Sequence, residues 1–571
     1  MKTNLSSWRM VFSLSFILSL MLIVSTVRLV DAQPSPADTI RFLEQSTFGP
    51  TNDLIAHVQQ VGFMAALDEQ AAAAMTEYPD LPFWPQTRPT SCTGDCQRDN
   101  YTLYQLQGHF FTNALFGQDQ LRQRVAFALG QILVTSAVDV PLPSWMRGYQ
   151  QLLYSEAFGN FRQLLYDVTL NPAMGRFLNM VNNRCQTRTL PDANVCRNGL
   201  KSQPNENYAR EILQLFSIGT FLLNPDGTRQ VDSGGNPIST YDQTTVEQFA
   251  RVFTGWVLAP ALPGPPDVGG TVPNYRDPMV LHKDSQGRED YHDGGPKTLL
   301  NGVQLPGGQS ADQELNAAID NIADHPNVAP FISKQLIQHL VTSNPSTAYV
   351  QRIANVFVAT RTSGTQLFEV VRAILLDPEA RGDSIDPSTL PNYGKLREPV
   401  QFITNVLRAF NAQSDGVLDS LNVGGSAIGS ADMNQDVFNA PSVFSFYPPT
   451  ARVPGESVLG PQFVLFSSLT SLRRDNFINR VIFSTIPAAP PNRPSGTAID
   501  LSAWVPLAND PNNLIETLNA LLLHGTMSDD MRQSVVTAVA SIPASNDSNR
   551  RMRVQTAIYL ILASSQYQVQ R

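Results

Sequence analysis

Apolar residues along this chain recur mostly at helical spacing. Leu54, Ile55, Val58 and Val61 form one stripe, opened by Thr51 as an N-cap and closed by Gly62. Val246, Phe249, Ala250, Phe253 and Trp256 form a second, behind a Thr244-x-x-Glu247 capping box. A third takes Asn327 as its cap, carries Pro330 in its first turn and aligns Ile332, Leu336 and Leu340. The pattern from Arg551 to Ser565 predicts a further helix. Alternation of period two is scarce. Between Phe221 and Thr240 the turn signals Asn224-Pro-Asp-Gly and Ser233-Gly-Gly-Asn predict one or two β-hairpins. Val257 to Asn274, with five prolines and three glycines, reads as an irregular loop, and Pro487 to Pro494 as a second Pro-rich connection. No repeat is visible. The expected architecture is mainly α: a single large helical domain over residues 33–571, with one or two inserted β-hairpins and long Pro/Gly-rich loops.

The N-terminus departs from this pattern. Lys2 and Arg9 precede an apolar run from Val11 to Val27, and Val30-Asp31-Ala32 fits a small-residue cleavage site. Residues 1–32 therefore read as a secretory signal peptide, which predicts an exported protein in the periplasm, at the cell surface or outside the cell. The run of 17 residues also lies near the lower limit of a membrane span, so an uncleaved anchor is the alternative. Without residues 1–32 the chain has 37 basic and 48 acidic residues, a net charge of −11. That excess argues against a nucleic acid partner. The four cysteines form two local pairs, Cys92 with Cys96 and Cys185 with Cys196, and an even count in an exported chain predicts disulfides. The spacing Cys92-Thr-Gly-Asp-Cys96 is not that of a redox CxxC motif, and a zinc site would want closer pairs.

Several stretches then become recognisable together: Arg41 to Thr51 (RFLEQSTFGPT), Pro204 to Gly219 (PNENYAREILQLFSIG), Phe253 to Trp256 (FTGW) and His292 to Thr298 (HDGGPKT). To these add His325 to Pro345 (HPNVAPFISKQLIQHLVTSNP), Leu396 to Val400 (LREPV) and Pro441 to Pro449 (PSVFSFYPP). In this order they resemble the bacterial family catalogued as domain of unknown function 1800, over nearly the whole chain from Arg41. The resemblance implies an exported, helix-rich protein. It also implies a partner, a second exported protein resembling the sulfatase and phosphatase superfamily and catalogued as domain of unknown function 1501. It brings no agreed catalytic residues. Many members look to have a Phe-Trp-His run where this chain reads Leu121-Arg122 to Phe127-Ala-Leu-Gly130, so a role resting on those histidines does not transfer.

Among the polar residues, Glu211 falls on the apolar face of its helix with Tyr208, Ile212 and Leu215. A carboxylate there must be paired, with Arg251 or Arg397 for example, or must act as a general base or ligand. His292 and Asp293 precede Gly294-Gly295 and serve either a turn or an acid–base or metal site. His325, before Pro326, suits a ligand or a capping contact, and His339 reads as structural. Lys297-Thr298 is no phosphate loop, because Pro296 lacks the required N–H. Lys297 and Arg397 remain as anion-binding helpers, and Arg397-Glu398 precedes a helix begun by Pro399. No HExxH, G-x-S-x-G or S-x-x-K motif occurs in a suitable setting. The expectation is a hydrolase-like site with Glu211, His292 and Asp293 catalytic and His292, Asp293 and His325 as ligands of a divalent metal. The rival is a non-catalytic assembly partner with an exposed apolar patch near Phe444, Phe446 and Tyr447.

Overall fold

In a computed structural model, the described residues are 33–184, 203–266, 268–289, 291–381 and 392–571. The signal-like segment falls outside them, and so do Cys185 and Cys196. Helices dominate, and one continuous apolar core runs from Phe42 to Tyr567, as the sequence pattern predicts. Helix–helix packing carries the fold. Val328–Leu340 lies on Thr347–Ala359, and Gln120–Ile132 on Pro143–Glu156. Helices Pro511–Leu523, Asp529–Ala540 and Asp547–Leu562 pack together near the C-terminus. No helix among the described residues is long and apolar enough to cross a membrane.

Local chemistry sets the helix ends. Thr51 caps Asn52–Val61 by accepting from the Leu54 N–H at 3.3 Å, and Gly62 ends it with φ of 83°. The Val246 stripe is a helix over Gln243–Val252, but its cap is Asp242, which accepts from the Thr245 N–H at 2.8 Å. The predicted box at Thr244 is not formed, and Trp256 belongs to a strand rather than to the helix. Asn327 stands at the N-cap of Val328–Leu340 without capping it by its side chain. Its amide instead donates to the Ile218 and Phe221 carbonyls, each at 2.8 Å, and accepts from the Leu223 N–H at 2.9 Å. Asn327 thus ties the end of the Asn207–Gln214 region to the following hairpin.

Strands are more numerous than expected and very short. Twelve two-residue strands make six antiparallel pairs among the described residues. The expected hairpin between Phe221 and Thr240 is held by single bridges, Phe221 to Ser239, Leu223 to Arg229 and Val231 to Pro237. The Pro-rich stretch read as irregular contains a pair of its own, Leu262–Pro263 with Thr271–Val272. A two-residue strand has too few positions to show alternation. Two pairs join segments far apart in sequence: Thr497–Ala498 lies against Gln413–Ser414, and Lys395–Leu396 against Val569–Gln570, which brings the C-terminus onto the Leu-Arg-Glu-Pro motif.

Candidate functional site

The polar residues singled out in the sequence fall into two separate buried centres and two isolated positions. The first centre holds the His292–Lys297 loop against helices Gln243–Val252 and Ala311–Ala323. Thr254 organises it, since its hydroxyl accepts from the Asp293 N–H at 2.9 Å and its carbonyl lies 3.0 Å from His292 Nδ1. The other ring nitrogen, Nε2, lies 3.2 Å from Glu314 Oε2. Asp293 makes a two-pronged pair with Arg251, at 2.8 Å to Nε and 3.0 Å to Nη2. Burial alone would raise the Asp293 carboxyl; the Arg251 guanidinium and the Gly295 N–H outweigh it and hold the carboxyl below its ordinary range. The Lys297 ammonium donates to the Asp293 and Gly295 carbonyls and lies 2.5 Å from Glu314 Oε2, in an ion pair too bent to be a good hydrogen bond. Two of its three donors are therefore hydrogen-bonded, and the Glu314 carboxylate balances its charge. At Gly255, with φ of 97°, a Cβ would come within 3.0 Å of His292 Cβ, so the close approach requires glycine.

The second centre joins three distant segments. Glu44 Oε2 forms an ion pair with Arg397 Nη1 at 2.9 Å and lies 3.1 Å from His524 Nε2, while Oε1 accepts from Asn405 at 3.0 Å. Asn405 in turn accepts from the Tyr567 hydroxyl at 2.8 Å, and the Arg397 guanidinium stacks 4.6 Å over the Tyr567 ring. Burial would raise the Glu44 carboxyl, but Arg397 and His524 bring it down to about 2. Lys297 and Arg397, expected as anion binders, are thus each neutralised by a glutamate, Glu314 and Glu44.

Glu211 and His325 stand apart from both. Glu211 shares no hydrogen bond or ion pair with His292, Asp293 or His325 among the described residues, nor with Arg251 or Arg397. Its Oε2 is sealed from solvent without a hydrogen-bond partner, and burial raises its carboxyl. His325 Nδ1 accepts from the Asn327 N–H at 3.2 Å, the capping contact of the two roles its position allowed. No cluster of three or more His, Cys, Asp or Glu side chains suited to a metal ion occurs among the described residues. Asp293 faces Arg251 and His292 faces Thr254 and Glu314, so the expected ligand trio does not converge. Of the two expected disulfides, Cys92 and Cys96 form theirs, closing a short local loop. The other, between Cys185 and Cys196, lies outside the described residues, so the disulfide expectation is met at Cys92 and Cys96 alone and does not extend to Cys196 or Cys185.

A third centre went unread in the sequence. Lys395 Nζ donates to the His339 carbonyl at 2.8 Å and to Gln401 Oε1 at 2.6 Å, and lies 3.7 Å from Glu398 Oε1. Glu398 Oε2 accepts from Gln435 at 2.6 Å and from Gln131 at 3.1 Å. Arg124 Nη2 donates to the same His339 carbonyl at 2.5 Å. All these residues are buried. Burial, reinforced by the Arg124 charge, lowers the Lys395 amine to about 7, and burial lowers the His339 imidazole to about 4. Arg124 Nε and Nη1, Gln131 Oε1 and His339 Nδ1 are sealed from solvent with no hydrogen-bond partner. Gln131 also lines a 30 Å³ cavity with Thr135, Gln150, Ser445 and Phe446, enough space for a water molecule. The sequence signal is weak: Arg124 and Gln131 lie in a helix that also carries Gln120, Arg122 and Gln123, and Lys395 and Glu398 stand close to Arg397.

Residues contributing to these centres come from nearly all of the quoted motifs. Residues 41–569 match the family described as "Protein of unknown function (DUF1800)". No curated protein and no solved structure matches. The chain belongs to the DUF1800 family of bacterial proteins.

Proposed function

We propose that the protein is an exported acid–base enzyme of hydrolase type, with Lys395 and Glu398 handling protons and Arg124, Gln131 and His339 positioning substrate or water. One observation carries this reading: the unpartnered buried atoms of Arg124, Gln131 and His339 surround a carboxylate–ammonium pair beside a water-sized cavity. Each such atom costs about 1–3 kcal/mol when left without a partner, and a bound water or substrate group would recover that cost. A lysine at about 7 is partly free amine at neutral pH and can serve as base or nucleophile. Access would come through the Pro441–Pro449 segment. It is tied at its ends, by Ser136 Oγ to the Ala440 carbonyl at 2.7 Å and by Gln338 to the Pro449 carbonyl at 3.2 Å. Between them Ser445, a cavity-lining residue, holds φ at 60°, and backbone strain of this kind concentrates at functional sites. Export rests on the signal-like N-terminus and on the Cys92–Cys96 disulfide, which suits an oxidising compartment.

Chromogenic phosphate, sulfate, carboxylic ester and glycoside substrates test the reading. At least one should be turned over by the wild type, and Lys395→Gln should abolish turnover while circular dichroism stays native. Turnover unchanged in Lys395→Gln, or none with any class, refutes it.

A different observation favours assembly with a partner, for which the family resemblance suggests the exported protein catalogued as domain of unknown function 1501. Leu469 and Leu472 (each 55 % exposed) and Phe483 (40 %) lie on one face of helix Ser468–Phe483, with Val464 (53 %) just before it. Near the start of this helix Val464, Leu469 and Leu472 present exposed apolar side chains, whereas in the aromatic segment Tyr447 is buried and Phe444 alone protrudes. Co-purification with that partner, lost in Leu469→Glu/Leu472→Glu, is the result this second reading requires.

A further inference from the structure

Arg408, at the end of helix Pro399–Ala409, is buried to 5 % exposure and has no carboxylate partner among the described residues. Its Nε donates to the Gly49 carbonyl at 2.7 Å. Its Nη1 donates to the Leu115 carbonyl at 2.5 Å and, less directly, to that of Ala114 at 3.4 Å. Those contacts explain part of the side chain, because Ala114 and Leu115 lie in the last turn of helix Tyr104–Phe116, whose free carbonyls a cation satisfies. They leave two things over. The positive charge meets only neutral oxygens, and Nη2 makes no hydrogen bond among the described residues, nor is it sealed from solvent.

Arg408 lines a 210 Å³ pocket with Thr51, Leu115, Phe116, Leu407, Asn411 and Ala412. No acidic side chain lines it. Thr51 Oγ1 accepts from the Leu54 N–H, so its own O–H is free to donate, and it stands at the N-terminus of helix Asn52–Val61. The Asn411 side chain has no hydrogen bond among the described residues, and Asn411 holds φ of 46°. Guanidinium, hydroxyl and amide donors thus border one space whose remaining wall is apolar: Leu115, Leu407 and Ala412 are buried and Phe116 is 44 % exposed.

We infer that this pocket binds a small organic oxyanion, a carboxylate or phosphate monoester, with its charged head on Arg408, Thr51 and Asn411 and its apolar part against Leu115, Leu407 and Phe116. The missing counter-charge is what the ligand supplies, and a charge-assisted bond to a planar guanidinium is the strong kind. Burial with no compensating carboxylate lowers the Arg408 guanidinium to about 10, as expected of a cation short of a partner. The site is distinct from the Lys395 centre.

Calorimetry with benzoate, phenyl phosphate, inorganic phosphate and benzyl alcohol tests the inference, with Arg408 itself kept because it also caps a helix. Benzoate or phenyl phosphate should bind the wild type saturably, more tightly than inorganic phosphate or benzyl alcohol. Asn411→Asp puts a negative charge at the mouth in a residue that tolerates the same backbone, and affinity should fall at least about tenfold. Phe116→Ala, at an exposed position, should weaken phenyl phosphate and leave inorganic phosphate unchanged. Absence of saturable binding by both aromatic anions overturns the inference. Equal affinity for benzyl alcohol, or unchanged affinity in both variants, overturns it as well.

Discussion

Lys297 lies within a family motif and Lys395 immediately before one; both are buried, and their surroundings assign them opposite uses. Lys297 has two carbonyls and a carboxylate at 2.5 Å, so its charge is compensated where it stands. Removing that carboxylate with Glu314→Gln should cost about 3–5 kcal/mol in urea unfolding, the penalty for stranding a buried charge. Lys395 has its carboxylate at 3.7 Å and an arginine nearby, and its amine falls to about 7. A lysine at 10.5 when unfolded and about 7 when folded keeps its full penalty below pH 7, and stability recovers as pH rises from 7 towards 10.5. The unfolding free energy of the wild type relative to Lys395→Met should therefore rise by about 2 kcal/mol between pH 7 and pH 9. Glu44 works in the other direction. Its carboxyl goes from 4.5 to about 2 on folding, so its contribution is complete above pH 4.5 and is lost as pH falls towards 2. Glu44→Gln should lack that acid-dependent loss when melting temperatures are compared between pH 5 and pH 3.

At the level of elements, the sequence was legible where one residue has one local job. Thr51 and Gly62 begin and end their helix as read, because capping uses a side chain and a φ angle that neighbours do not alter. Thr244 and Asn327 do not cap their helices, for the opposite reason. Asp242, two residues earlier, is the acceptor placed to reach the free amides, and the Asn327 amide is claimed by carbonyls some hundred residues away. The two-residue strands had no periodicity to offer, yet one of them positions chemistry, since Lys395–Leu396 is fixed by Val569–Gln570. Gly394 precedes that pair with φ of 101°, and a Cβ there would lie 2.3 Å from the Gln570 carbonyl oxygen. Gly394→Ala should destabilise the protein by about 3 kcal/mol or more, through steric conflict added to backbone strain. Gly308→Ala, with φ of 85° and open space around it, should cost only about 1 kcal/mol by the same denaturation assay.

Across the whole molecule, the family motifs are where chain segments far apart in sequence exchange polar contacts. Glu44 meets Arg397 and His524, Arg124 meets His339, and Gln131 meets Glu398. Composition and periodicity predicted the helical architecture, but pairings over such separations leave no local trace. Hence Lys297 and Arg397 could be picked out while Glu314 and Glu44, which neutralise them, could not. Two centres have their charges matched internally and behave as fastenings of the fold. The first also leaves His292 Nε2 and both Glu314 oxygens without hydrogen bonds, but the third, around Lys395 and Glu398, keeps such atoms beside a cavity and a strained covering segment. The central claim is that this centre is reactive. Labelling the folded protein with fluorodinitrobenzene across pH 6–9, with sites located by peptide mass spectrometry, tests it most directly. The reactive-site account predicts that Lys395 is modified with a midpoint near pH 7, ahead of the exposed Lys283. Lys395 left unmodified while Lys283 reacts, or modified only in the range of an ordinary lysine, would contradict it.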